Sequence, residues 1–152
     1  MHLLKRSRAR EVALQLLYQR ESNHNSERSQ IETFVNTRLH DKELRLFSLH
    51  LYDGVITHLS SIDVQLTNAA DNWRLHRMAC IDRNVLRLGV FELTYDAKET
   101  PRAVAIDEAI ELARRFGSAD SPFFINGVLD RVNKPMDAPV EVAAPADPET
   151  AP

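Results

Sequence analysis

Glycine is scarce, with four residues in 152, and nowhere do β-branched residues alternate with polar ones over the length of a strand. A hairpin-rich β architecture is therefore excluded. The single cysteine, Cys80, cannot form an internal disulfide, which fits a reducing compartment. No apolar run approaches the roughly 18 residues of a membrane span. The N-terminal MHLLKRSRARE lacks the apolar core of a secretory signal, so a cytoplasmic protein without a membrane role is expected. The histidines, at 2, 24, 40, 50, 58 and 76, include no pair at i, i+4 and have no cysteine cluster beside them. No glycine-rich phosphate loop and no serine, histidine and aspartate arrangement is visible. The chain is expected to be neither metal-dependent nor an enzyme, and to need no cofactor.

What is present is charge, unevenly placed. Net charge is −3, and the one lysine and four acids beyond Val132 account for all of it, so residues 1–132 are neutral. Within that neutral body Lys5, Arg6, Arg8 and Arg10 crowd together ahead of Glu11. Such a local basic end points to a local anionic contact. Ser7 is suited to cap a helix running to Gln19 or Arg20, with Val12, Ala13, Leu16 and Leu17 apolar. At 100° per residue Arg6 and Arg10 fall in line with Leu14 and Leu17, so the apolar face turns cationic at its start. Cations so near a helix N-terminus oppose its dipole and are not expected to serve core packing.

The remaining apolar spacing is helical. Ile31, Phe34, Val35 and Leu39 form a short amphipathic stretch, and a longer helix runs through Leu44, Phe47, Leu51, Val55 and Leu59. Gly54 inside it marks a close helix crossing. Residues 62–70 continue helically, and a break at Asp71 and Asn72 precedes Trp73. Three further helices fill Ile81 to Val132. The first holds Val85, Leu86, Leu88 and Phe91, and stops in the polar run Asp96 to Thr100. Pro101 starts the second, which Gly117 ends as a left-handed cap. Asp120 and Ser121, ahead of Pro122, start the third. Asp107, Glu108 and Glu111 read as a solvated helix face, with Glu111 and Arg115 paired at i, i+4. From Asn133 five prolines and four acids stand among alanines and valines, which predicts a disordered tail over 133–152. The fold class is all-α: about seven helices in a compact bundle.

Three blocks, IDRNVLRLGVFEL, AIDEAIELARRFG and FINGVLDRV, together with RARE and ALQLLYQ at Arg8 to Gln19, resemble the NusB family of bacterial antitermination factors. They keep the family's order and spacing over nearly all of Lys5 to Val132. The resemblance implies two packed helical subdomains, about 1–59 and 60–132, with a short helix at Trp73 to Met78. It implies a partner, the small-subunit ribosomal protein NusE, and binding of the pair to boxA, a single-stranded element of nascent ribosomal RNA leaders. That binding would help the transcribing RNA polymerase complex pass terminators.

Carried over residue by residue, the resemblance assigns RNA contact to Lys5, Arg6, Arg8, Arg10, Asp120, Ser121 and Phe124. Ser7 departs from it, standing where related sequences often have another arginine. Tyr18 and Phe124 offer rings for bases to stack on. Two adjacent phenylalanines, Phe123 and Phe124, cannot share one helix face, so one of them is open to solvent. Asn126 and Gly127 fit either RNA contact or helix packing. Asp82 and Glu92 are the candidates for meeting the basic partner protein. Two other readings stay open: a stand-alone form of the RNA-binding domain that precedes some ribosomal RNA methyltransferases, and a helical interaction module with no RNA role.

Overall fold

A computed structural model describes residues 2–70 and 74–132, with residues 2–4 described by backbone alone. The breaks expected at Asp71 and Asn72, Trp73, and the tail 133–152 lie outside the described residues. Seven α-helices follow in order: α1 (His2–Ser22), α2 (Arg28–Arg38), α3 (Lys42–Thr57), α4 (Leu59–Ala69), α5 (Cys80–Tyr95), α6 (Arg102–Phe116) and α7 (Ser121–Arg131). A single 3-10 turn, Leu75–Arg77, stands before α5, and there is no strand among the described residues.

Helix α5 is the centre of the bundle. It buries Val85, Leu86, Leu88, Val90, Phe91 and Leu93, and α1, α3, α4, α6 and α7 all pack on it. A helix apolar around most of its circumference can only be stable when other helices surround it. The crossing of α3 over α5 depends on Gly54: a Cβ there would stand 2.2 Å from Cζ of Phe91. This is the close approach expected from the sequence. At Asp41 the carboxylate accepts the N–H of Glu43 at 2.8 Å and starts α3. Arg102 closes the far end of α7 by donating to the carbonyls of Leu129, Asp130 and Val132.

Four local expectations are corrected. Ser7 is not a cap: α1 has already run for more than a turn, and the Ser7 hydroxyl instead donates to Glu108 at 2.8 Å. The arginines after it therefore lie beyond the first turn, where the helix dipole has little effect. Gly117 is not left-handed; it sits at φ −98°, ψ −164°. Its need for glycine is steric, because a Cβ would lie 2.5 Å from Oγ of Ser121. The long helix through Leu59 is broken at His58, which ends α3 and begins α4. Finally, Arg115 turns away from Glu111 and toward Glu11, while Glu111 pairs with Arg114 at 2.6 Å.

Candidate nucleic-acid interface

The basic head of α1 divides by helical angle. Arg10, 3% exposed, faces inward and donates through Nε and Nη2 to the carboxylate of Glu92 at 2.9 and 2.7 Å. Glu92 is itself 2% exposed, and Thr100 Oγ1 approaches it at 3.4 Å. Glu92 is thus corrected as a candidate for partner contact: its charge is spent inside the fold, where an unpaired Arg10 would be costly. Arg10 is corrected in the same way as a surface cation for RNA. Arg6 turns toward α3, its guanidinium 4.2 Å from the centroid of the Phe47 ring. It looks into an open groove that also holds Glu43, His50, Asp96 and Glu99. Arg8 donates to Glu11 of its own helix at 3.0 Å and stays 47% exposed, and Glu11 in turn accepts from Arg115 of α6. Lys5 is exposed and makes no ion pair among the described residues.

Farther along α1 one cleft opens, and a second is built around the starts of α5 and α7. Tyr18, half exposed, lines the first with Gln15, Phe34, Arg38, Ile81 and Phe116, a volume of about 290 Å³. The Arg38 guanidinium carbon stands over the Phe34 ring, 3.6 Å from its centroid. The second, also about 290 Å³, is lined by Arg77, Met78, Asp82, Asp120, Ser121 and Phe124. The first turn of α5 contributes to both, Ile81 to the first cleft and Asp82 to the second. Asp82, Asp120, Ser121 and Phe124 are thus brought together in the second cleft, while Tyr18 stands in the first.

Within the second cleft the polar groups differ. Ser121 is buried and its Oγ accepts the N–H of Ser118 at 2.9 Å, so the hydroxyl shapes the α6–α7 loop. Asp120 is exposed beside it. Oδ1 of Asp82 is buried and has no hydrogen-bond donor among the described residues, a state that costs free energy until a donor arrives. Phe124 is half-buried and it is Phe123, 87% exposed, that stands open to solvent. Asn126 is exposed farther along α7. A Cβ at Gly127 would meet nothing closer than Arg131 Nη1 at 4.0 Å, so tight packing does not require glycine there.

Two residues beside the clefts carry no expectation of RNA contact from the sequence: Arg115, which reads there as a partner of Glu111, and Phe116, which lines the first cleft. Their only signal was position, at the last turn of a helix that ends beside α1.

Elsewhere the polar clusters are closed structures. Glu21 receives Arg83, Arg87 and Asn84, and Arg87 also grips Asp63 at 2.9 and 3.0 Å. The hydrogen bond from Arg83 lowers the Glu21 carboxyl to about 2, against the opposing pull of burial. Burial raises the Cys80 thiol, which disfavours a reactive thiolate. Among the described residues no group of three or more histidines, cysteines or acids could hold a metal ion. None of the described helices is long and apolar enough to cross a membrane.

Known proteins share both sequence and fold. The model of the NusB family matches residues 7–134. The transcription antitermination protein NusB of Sorangium cellulosum is 46% identical over 127 residues, covering 84% of this chain and 90% of its own. That of Solibacter usitatus is 40% identical over 136 residues, covering 88% and 92%. The solved structure of T. maritima NusB superimposes with a TM-score of 0.73 at 36% identity, covering 83% of this chain and 88% of that one. A chain from the crystal structure of antitermination factors NusB and NusE in complex with dsRNA shares the fold, with a TM-score of 0.73 at 24% identity over 86% of this chain and 95% of that one. The match runs from the basic head of α1 past the end of α7 and takes in every element that builds the two clefts, so the chain belongs to the NusB family of transcription antitermination proteins.

Proposed function

We propose that this chain binds a boxA-like single-stranded RNA jointly with NusE in the cytoplasm, and so helps the transcribing RNA polymerase complex pass terminators. Its work is binding, not catalysis. One observation carries the reading: two clefts built from residues far apart in sequence each combine an arginine with an aromatic ring, Arg38 with Tyr18 in one and Arg77 with Phe124 in the other. Unpaired RNA needs this combination, because phosphates take the cations and unstacked bases take the rings. Lys5 and Arg8 serve the phosphates, Tyr18 and Phe124 offer stacking faces, and Asp120 and Asn126 offer polar groups to base edges. Arg6 reaches RNA only if the strand also passes the α3 side.

Asp82, half-buried in the first turn of α5, is the partner contact that remains. Its carboxylate lines the second cleft, where charge complementarity suits it to a cationic group brought by NusE. Support from relatives is the fold shared with a chain of the NusB, NusE and dsRNA complex.

The test is binding of a boxA-like RNA with and without NusE, at several salt concentrations. Tight binding that requires NusE and prefers boxA over a scrambled RNA is expected. No binding even at low salt with NusE present overturns the reading. Asp82→Lys should weaken NusE binding with helix content intact, and unchanged affinity by titration calorimetry removes Asp82 from the interface.

A further inference from the structure

Arg8 on α1 and Arg115 on α6 are 107 positions apart in the sequence, yet both grip one carboxylate. Arg8 Nη1 donates to Oε1 of Glu11 at 3.0 Å, and Arg115 Nη1 donates to Oε2. The Glu11 side chain is 7% exposed, while those of Arg8 and Arg115 are 47% and 52% exposed. One buried acid therefore holds two half-open cations side by side, and the row carries a net charge of +1. Each guanidinium has five N–H donors in a fixed fork, and among the described residues the only acid either one meets is Glu11. The donors left over face solvent from two different helices.

We infer that Arg8, Glu11 and Arg115 form a pre-oriented phosphate fork, in which Arg115 is a further RNA-binding residue and Glu11 a positioning residue. The inference rests on the RNA reading above and deepens it. Two guanidiniums held close by a single carboxylate repel each other in part, and a phosphodiester oxygen placed between their free edges relieves that repulsion while accepting charge-assisted hydrogen bonds. Pre-orientation matters because a free arginine side chain loses rotamer entropy on binding, whereas these two are already fixed. The place is also right for RNA: Phe116, the residue after Arg115, lines the cleft that holds Tyr18. Ser7, which stands where related sequences often have another arginine, has its hydroxyl spent on Glu108 and brings no charge. Arg115 restores from α6 a cation that α1 does not supply.

Arg114 is the internal control. It is the neighbouring residue, 60% exposed, with the same charge, and it pairs with Glu111 on α6 instead. Two readouts separate this inference from the boxA reading. In the first, affinity for a boxA-like RNA with NusE is measured against salt for the parent, Arg115→Ala and Arg114→Ala. Arg115→Ala is expected to weaken binding several-fold and to flatten the log–log salt slope by about 0.7, one phosphate contact, while Arg114→Ala leaves the slope unchanged. In the second, a homopolymer RNA is titrated at low salt into the isotope-labelled full chain, and the arginine Nε–Hε resonances are followed by NMR. Arg8 and Arg115 are expected to shift together and Arg114 to stay. That readout needs no boxA preference, so it stands even if the boxA reading fails. Equal shifts at Arg114 and Arg115, or no shift at Arg115, overturn the fork.

Discussion

At the C-terminal end of α1, Glu21 accepts hydrogen bonds from two arginines and an asparagine, and those arginines spend their remaining donors on Asp63 and on the carbonyls of Leu75 and Met78. At the N-terminal end, Glu11 also holds two arginines, but both keep half their surface open. The same ion-pair chemistry is complete at one end and unfinished at the other. A closed network ties α1 to α4 and α5 and commits most of its donors to the fold. An open one ties α1 to α6 and keeps donors for an anion. Between them, Arg10 and Glu92 show the extreme of closure, a pair buried on both sides. Counting arginines therefore overstates the RNA surface; what counts is how many donors each one has left.

Breaking the most closed pair should have the largest effect. Glu92→Ala leaves the buried Arg10 charge with only the longer contact to Glu108 at 3.7 Å and should cost about 3–5 kcal/mol in denaturant unfolding. Arg10→Ala should be similarly severe, and its effect on RNA should follow from lost folding. A loss under 1 kcal/mol for both would show that the pair is not closed in solution.

Glu21→Gln should cost less, about 1–3 kcal/mol, by leaving two arginines short of an acceptor. Because the folded carboxyl sits at about 2, below its ordinary 4.5, the contribution is present above pH 4.5 and lost as pH falls through about 2. The gap in thermal midpoint between parent and variant should close over that window. A gap that persists unchanged at pH 2 would remove Glu21 as its source.

At the open end, Arg8→Ala should change stability by no more than about 1 kcal/mol, as for exposed pairs generally, while flattening the salt dependence of RNA binding. Stability loss without any change in RNA binding would place Arg8 with the closed networks. Smallest in stability is Phe123→Ala, within about 0.5 kcal/mol, because the ring is open to solvent. Comparing its RNA affinity with that of Phe124→Ala decides which ring a base stacks on, since a stacking residue should cost roughly 1–3 kcal/mol of binding.

The alignment of Arg6 and Arg10 with Leu14 and Leu17 was visible in the sequence as a cationic end to an apolar face. That pattern was a burial signal for Arg10, but its acid, Glu92, lies 82 positions away and only the packing of α1 on α5 brings them together. Gly54 was legible as a crossing point because a lone glycine inside a helix needs a steric reason, and the Phe91 ring is that reason. Gly117 was legible as special, yet the cause was a close serine and not a positive φ. Helix periodicity, the family blocks and the neutral body with its basic end are local or compositional, and a chain carries them whether folded or not. By itself, then, the sequence determined that the protein is helical, that it belongs among the NusB proteins and that its first helix starts basic. Which arginines remain available, which phenylalanine faces solvent and which acid meets a partner were decided only in three dimensions. Those outcomes depend on the helical angle of each side chain against neighbours remote in sequence, and no local pattern encodes such a pairing.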